Sequence, residues 1–277
     1  MRTFQDRVVV ITGAGSGIGR ALALELASRG ALLALSDVDE TGLGVTEALL
    51  GEAGARAVRT DRVDVSDRAA VAAYAETVAG HYGRVNVIVN NAGVALTGDL
   101  VDLSYEDLDW IVGVNFWGVV HGTKAFLPHL LASGEGHVVN MSSLFGLIAV
   151  PSQSAYNATK FAVRGLSEAL RQEMLVAGHP VGVTVVHPGG VKTAIARNSR
   201  VADPSKHAET ARLFDEKLAS MEPARAAEII VKAVLRNKAR VLVGLDAHAL
   251  HQFARVLGSR YQDVIARAGR RVLPPPE

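Results

Sequence analysis

No cysteine occurs among the 277 residues, which excludes a disulfide framework, thiolate zinc sites and a cysteine nucleophile together. Any chemistry here runs on oxygen and nitrogen. An excess of charge of one sign is missing too: 29 Lys+Arg stand against 28 Asp+Glu, a formal net of +1. A field that small does not recommend nucleic acid as a partner. No segment approaches the roughly 18 uncharged apolar residues of a membrane span. The opening MRTFQDRVVV has no apolar stretch leading to a small-residue cleavage site, so a cytoplasmic location is expected. What is plentiful is apolar side chain, at 49% hydrophobic against 21% charged, the balance of a chain with a sizeable core.

Short apolar runs alternate with helical periodicity from one end to the other. Val8–Thr12 reads as a strand, and Ile18, Leu22 and Leu26 then share one face of a helix that Gly30 stops. The same alternation recurs at 32–36 and 42–50, 57–62 and 69–81, and 85–89 followed by a long helical stretch within 103–131. It continues at 137–141 and 155–177, then 181–187, with 240–243 as a last strand. Strands that are apolar throughout are buried on both faces, as in a parallel sheet covered by helices on each side. A single α/β domain follows: a Rossmann-like, doubly wound parallel sheet of about seven strands over residues 1–245. Residues 191–222 break the rhythm, because such connections usually need only about 2–6 residues, and are expected to form a lid over a ligand. Residues 246–277 read as a C-terminal helical extension ending in a proline-rich tail.

Glycines cluster where the first strand meets the first helix, in Thr12-Gly-Ala-Gly-Ser-Gly-Ile-Gly19. There, backbone N–H groups and the helix dipole hold a pyrophosphate. The spacing of Gly13, Gly17 and Gly19 is G-x-x-x-G-x-G, with Ser16 and Ile18 in the same turn. Asp37 follows the second strand 18 residues beyond Gly19, close to the ~20 expected of a carboxylate that accepts the hydroxyls of an adenosine ribose. It also repels a ribose phosphate, which favours NAD over NADP. Asp39 is a nearby rival.

Tyr156 and Lys160 lie four apart in a helical stretch and so share a face. A phenol with a pKa of about 10 must lose about 3 units to act as a base near neutrality, and a neighbouring ammonium is expected to lower it. Ser143 stands just beyond the fifth strand, and Asn90-Asn91-Ala92-Gly93 ends the fourth. Both fall at the carboxyl edge, where sheets of this kind carry their sites.

With these motifs in order, the chain resembles the short-chain dehydrogenase/reductase family over about residues 7–245. TGAGSGIG at 12–19, Asp37, Asp64-Val65, NNAG at 90–93, Asn115, Ser143, YNATK at 156–160 and Pro188-Gly189 carry the resemblance. It implies that Tyr156 is the general acid/base, that Lys160 lowers its pKa and holds the nicotinamide ribose, and that Ser143 bonds the substrate oxygen. Asn115 resembles the anchor of a proton-relay water. The resemblance further implies that Asp64 and Val65 flank the adenine, that Asn91, Ala92 and Gly93 line the cofactor cleft, and that Pro188, Gly189, Val191 and Thr193 adjoin the nicotinamide.

The expected activity is NAD-dependent interconversion of a secondary alcohol and a ketone by hydride transfer. The alternatives are an NADPH-linked carbonyl reductase and a catalytically silent NAD sensor. Residues 144–151, with Val94, Leu96, Ile195, Val201, Leu213, Phe214, Leu218 and Met221, favour a lipophilic substrate. Nine histidines show no ligand-spaced trio, so no metal is expected. The basic amphipathic face of the C-terminal stretch, with Leu250, Phe253, Tyr261 and Arg255 to Arg271, fits packing against the body or a second subunit better than a membrane surface. The family is commonly dimeric or tetrameric through the long helices, so a homo-oligomer is expected.

Overall fold

The computed structural model describes residues 1–208, 212 and 219–269. Leu213, Phe214, Leu218, Arg270, Arg271 and the proline tail lie outside the described residues.

Seven strands form one wholly parallel sheet. They are β1 (Val8–Thr12), β2 (Leu32–Asp37), β3 (Val58–Arg62), β4 (Val87–Asn90), β6 (Gly136–Met141), β7 (Val181–Pro188) and β9 (Arg240–Val243). Their spatial order is β3-β2-β1-β4-β6-β7-β9. Val9 and Ile11 of β1 face one core layer, with Leu22 and Leu26 of α1 (Gly17–Ala27) and Ile230 and Val234 of α7 (Pro223–Leu235). Val8 and Val10 face the other, with Val78 of α3 (Arg68–Tyr82), Phe126 and Leu130 of α5 (Gly118–Ala132) and Leu170 of α6 (Ser154–Val176). Both faces of β1 are therefore covered, which is why the strand shows no polar alternation. The edge strand β3, VRTDR, departs from the all-apolar expectation: it is only half-buried because a partner covers one of its sides. The strand order reverses between β1 and β4, and this opens a crevice at the carboxyl edge.

Two features were not foreseen, and a third bears on the C-terminal stretch. The helical stretch within 103–131 is broken into α4 (Tyr105–Val112), a π-helical turn (Gly113–Trp117) and α5. Wide turns of this kind concentrate at functional sites, and Asn115 sits in the middle of this one. Ser104 caps α4, its hydroxyl accepting from the Asp107 N–H at 3.1 Å. Replacing Ser104 with alanine should lower stability by about 1 kcal/mol in a denaturant melt and leave turnover per folded molecule unchanged.

The long excursion is pinned at its neck and in its middle. Val191 bridges Met221, with Lys192 N–H donating to the Met221 carbonyl at 2.9 Å and Met221 N–H to that of Gly190 at 3.1 Å. Farther out, β8 (Arg200–Val201) pairs in parallel with β5 (Leu96–Thr97), the segment that follows the NNAG turn. Lastly, α8 (Leu245–Leu257) and α9 (Tyr261–Gly269) are stitched to the body. Ala247 is buried against Leu144 and Ile148, and the Tyr261 hydroxyl accepts from the Ala149 N–H at 3.0 Å. No described helix is long and apolar enough to cross a membrane.

Candidate active site

The glycine turn is tight because nothing larger fits. Gly13 has φ +66°, and a Cβ on it would stand 2.7 Å from Ala92 Cα. A Cβ on Gly19 would collide with the Gly13 carbonyl. Gly17, at φ +52°, faces the Thr193 methyl group, 3.0 Å from where its own Cβ would lie. Thr193 of the excursion therefore roofs the turn at the start of α1. The hydroxyl of Ser16, the N-cap residue, caps no backbone N–H, and no acidic side chain occupies the first turn of α1. First-turn N–H groups without a side-chain cap, at the positive end of a helix dipole, fit a dinucleotide phosphate. Ile18 follows them, half-buried against the core.

Asp37 ends β2 and faces this turn, with Oδ2 accepting from Gly15 N–H at 2.8 Å and Oδ1 from Asp39 N–H at 3.1 Å. The rival carboxylate is spent elsewhere: Asp39 is the N-cap of α2 (Glu40–Glu52) and accepts from Gly42 N–H at 3.0 Å. Beyond β3, Asp64 accepts from the N–H and hydroxyl of Ser66 at 2.9 and 2.7 Å, and Val65 is buried beside Gly118.

The Asn91 amide clamps the glycine turn, donating to the carbonyls of Thr12 at 2.9 Å and Gly13 at 3.0 Å. Thr12 Oγ1 returns the tie by accepting from the N–H groups of Asn91 and Ala92, each at 3.1 Å. Gly93 faces Asn115 and Lys160, since a Cβ there would lie 3.2 Å from Asn115 Oδ1 and 3.3 Å from Lys160 Nζ. The fully buried Asn115 side chain accepts from Val94 N–H at 2.8 Å and donates to the Val94 carbonyl at 2.9 Å. The π turn thereby locks onto the strand-end loop.

Ser143, Tyr156 and Lys160 converge as the motif spacing requires. Lys160 is buried, with Nζ donating to the Met141 carbonyl at 3.2 Å and standing 5.5 Å from the Tyr156 ring centroid. Burial pulls its pKa down to about 8. The expected lowering of Tyr156 by this ammonium is reversed. Burial pushes the phenol up, and a hydrogen bond with the Ser143 hydroxyl draws it only partway back. The desolvated lysine still carries its charge at neutral pH, and its Nζ is turned to the Met141 carbonyl. The Phe145 ring meets Tyr156 edge-on, centroids 6.2 Å apart at 87°. The two candidate serines are separated by the structure: Ser142 is buried and donates to the Lys160 carbonyl at 2.8 Å, whereas Ser143 turns toward Tyr156.

At the end of β7, Pro188, Gly189 and Val191 carry the chain from the sheet into the neck of the excursion. Two residues here belong to no motif. Asp246 of α8 accepts from Gly190 N–H at 2.7 Å, and its carboxylate fills the space that a Cβ on Gly189 would need. His187, fully buried on β7, bonds the Ser143 carbonyl through Nδ1 at 2.8 Å. Among the described residues no cluster of His, Asp and Glu is arranged to hold a metal ion.

Comparison with protein families matches the short chain dehydrogenase family over residues 7–204. The chain belongs to the short-chain dehydrogenase family. This dehydrogenase is 56% identical over 274 residues to a Mycobacterium tuberculosis protein named as the oxidoreductase SadH, covering 99% of each chain. A Burkholderia phymatum short chain dehydrogenase/reductase, solved in complex with NAD, is 34% identical with a TM-score of 0.87, over 95% of this chain and 97% of that one. An alcohol dehydrogenase from Thermococcus sibiricus, solved with 5-hydroxy-NADP, is 27% identical with a TM-score of 0.73, over 86% and 96% of the two chains. The dehydrogenase is thus an oxidoreductase of a family whose members bind nicotinamide dinucleotides.

Proposed function

We propose that the protein is an NAD-linked oxidoreductase that interconverts a lipophilic secondary alcohol and its ketone. The observation that carries this reading is the convergence of Ser143, Tyr156 and Lys160 beside the glycine turn at the carboxyl edge. Relatives hold either NAD or an NADP derivative, so the choice between the two rests on Asp37. The turn at Gly13–Gly19, Asp37, Asp64, Val65 and Thr193 would hold the dinucleotide, with Lys160 beside its nicotinamide ribose. When bound, the nicotinamide supplies the hydride acceptor or donor.

The chain's own groups manage the proton. Ser143 and Tyr156 present two hydroxyls to one substrate oxygen and orient it. Tyr156 takes the hydroxyl proton in oxidation and returns it in reduction. Lys160 holds a positive charge beside the phenolate that oxidation requires, and Asn115 fixes the loop against which Lys160 packs. Apolar side chains surround Tyr156, with Val94, Leu96 and Phe145 packed in one cluster with it, which supports a lipophilic substrate. A panel of lipophilic secondary alcohols and small polyols, run with NAD and NADP in parallel while following reduced nicotinamide, tests the reading. Turnover confined to polyols, or to neither class, defeats it.

The direction of the Tyr156 shift sets the pH dependence. Burial keeps the phenol protonated at neutral pH, so kcat/KM for oxidation should rise with pH at a slope near one from about pH 6 upward. For reduction, which uses the protonated form, kcat/KM should be flat there and fall at high pH. Initial rates in both directions check this, and a flat oxidation profile contradicts it. A cytoplasmic homo-oligomer completes the proposal. The half-exposed Trp117 and Phe161, on the π turn and α6, are the apolar surface that a second copy would cover, and sedimentation velocity decides the state.

A further inference from the structure

We propose that His187 is a positioning residue for catalysis: its Nδ1–H fixes the Ser143 carbonyl and thereby the Ser143 hydroxyl that orients the substrate oxygen. The inference rests on the oxidoreductase reading above. A carbonyl only accepts, so the 2.8 Å contact between His187 Nδ1 and the Ser143 oxygen requires the proton on Nδ1. The same carbonyl accepts from Gly146 N–H at 2.9 Å, and the Ser143 hydroxyl accepts from Phe145 N–H at 3.1 Å. Ser143 leaves β6 extended, at φ −163° and ψ 167°, and turns at once into a single 3-10 turn. Beside that turn and the Tyr156 hydroxyl, the His187 ring is the anchor that reaches Ser143 from the neighbouring strand.

His187 supplies that anchor from a rigid place. It lies near the end of β7, in register with Leu242 of β9, while its neighbour Val186 accepts from Ser142 N–H at 2.8 Å. The ring is completely enclosed, and its Nε2 is buried without a partner. The one hydrogen bond that the structure gives the ring is therefore the Nδ1 contact to Ser143. The charges that face it are Arg164 and Glu168 of α6 and Arg240 of β9. Burial brings the imidazole down to about 4, outweighing the Ser143 carbonyl and Glu168, which favour protonation, while Arg240 and Arg164 oppose it. The ring is therefore neutral, with one proton to place.

Two variants of the full-length enzyme separate positioning from packing. His187→Asn keeps a donor at the δ position but loses ring volume, whereas His187→Leu keeps volume and loses the donor. Stability and activity should therefore move in opposite directions. His187→Leu should unfold at or above the temperature of His187→Asn, yet its kcat should fall about tenfold to a hundredfold, the penalty of a displaced orienting group. Its KM for NAD should stay within about twofold. His187→Asn should stay within about threefold of wild-type kcat despite its looser packing. Nitrogen-15 spectra of histidine-labelled wild type should show a neutral Nδ1–H tautomer at His187 down to about pH 6, given the lowered pKa. Equal kcat in the two variants, an Nε2–H tautomer or an imidazolium at that pH overturns the proposal. If the wild type turns over nothing in the alcohol panel, the functional reading fails, and the tautomer measurement still judges the Ser143 anchor.

Discussion

Tyr156→Phe should leave a folded, nucleotide-binding protein whose turnover is lower by about 10²–10⁴-fold, the usual worth of a positioned acid/base. The phenylalanine ring still fills the cluster of Leu96, Ile111 and Ala155 and still meets Phe145 edge-on, so the apolar packing is kept. What disappears is the oxygen that trades the proton and the partner of the Ser143 hydroxyl. Quenching of intrinsic fluorescence should report a Kd for NAD within about threefold of wild type, because uniform binding is untouched. The unfolding midpoint should move little, since the lost hydroxyl contributes on the order of 1 kcal/mol. Wild-type turnover in this variant would remove Tyr156 from the mechanism. A loss of NAD affinity as large as the loss of turnover would make it a binding residue instead.

The second large effect concerns the choice of dinucleotide. A ribose phosphate of charge about −2 held ~5 Å from the Asp37 carboxylate at an effective dielectric of ~20 meets a repulsion of a few kcal/mol before screening. Wild-type kcat/KM should therefore favour NAD over NADP by about a hundredfold or more, 1.4 kcal/mol being worth a factor of ten. Asp37→Asn is the informative change. Its amide oxygen still accepts from Gly15 N–H, so the turn keeps its shape, while the charge is gone. The preference should shrink by about a hundredfold, mostly through improved use of NADP. High salt should shrink it in wild type as well, but not in the variant. An unchanged ratio in Asp37→Asn would mean that something other than this carboxylate selects the cofactor.

The legible parts of this protein are those whose physics is local. Val8–Thr12 announces a doubly covered strand because a run with both faces apolar has no other stable place. Gly13 and Gly19 announce a tight strand-to-helix turn because the backbone approaches itself too closely for any Cβ. The spacing of Tyr156 and Lys160 is a fact about one helix. What stayed hidden depends on distant partners. The π turn at Gly113–Trp117 keeps helical periodicity on both sides, so its extra width leaves no mark in the pattern of apolar residues. Strands β5 and β8 are two residues each and exist only because Leu96–Thr97 meets Arg200–Val201 across about a hundred positions of chain. The tie of the Asn91 amide to the carbonyls of Thr12 and Gly13 joins two strand ends about eighty residues apart and leaves no local mark. Burial raises the Tyr156 phenol and lowers the Lys160 ammonium, and sequence carries charge but not burial.

The bridge between Val191 and Met221 also bears on how such a protein changes over generations. Departing and returning strands of the excursion are hydrogen-bonded to each other at Gly190, Lys192 and Met221, so everything beyond that clasp enters and leaves the body at nearly one point. Apart from the two-residue pairing of β8 with β5, a stretch attached in this way can lengthen, shorten or be swapped for a cousin's version without asking any strand of the seven-stranded sheet to move. Diversity can accumulate in that cassette while the proton-handling machinery beneath it is inherited intact.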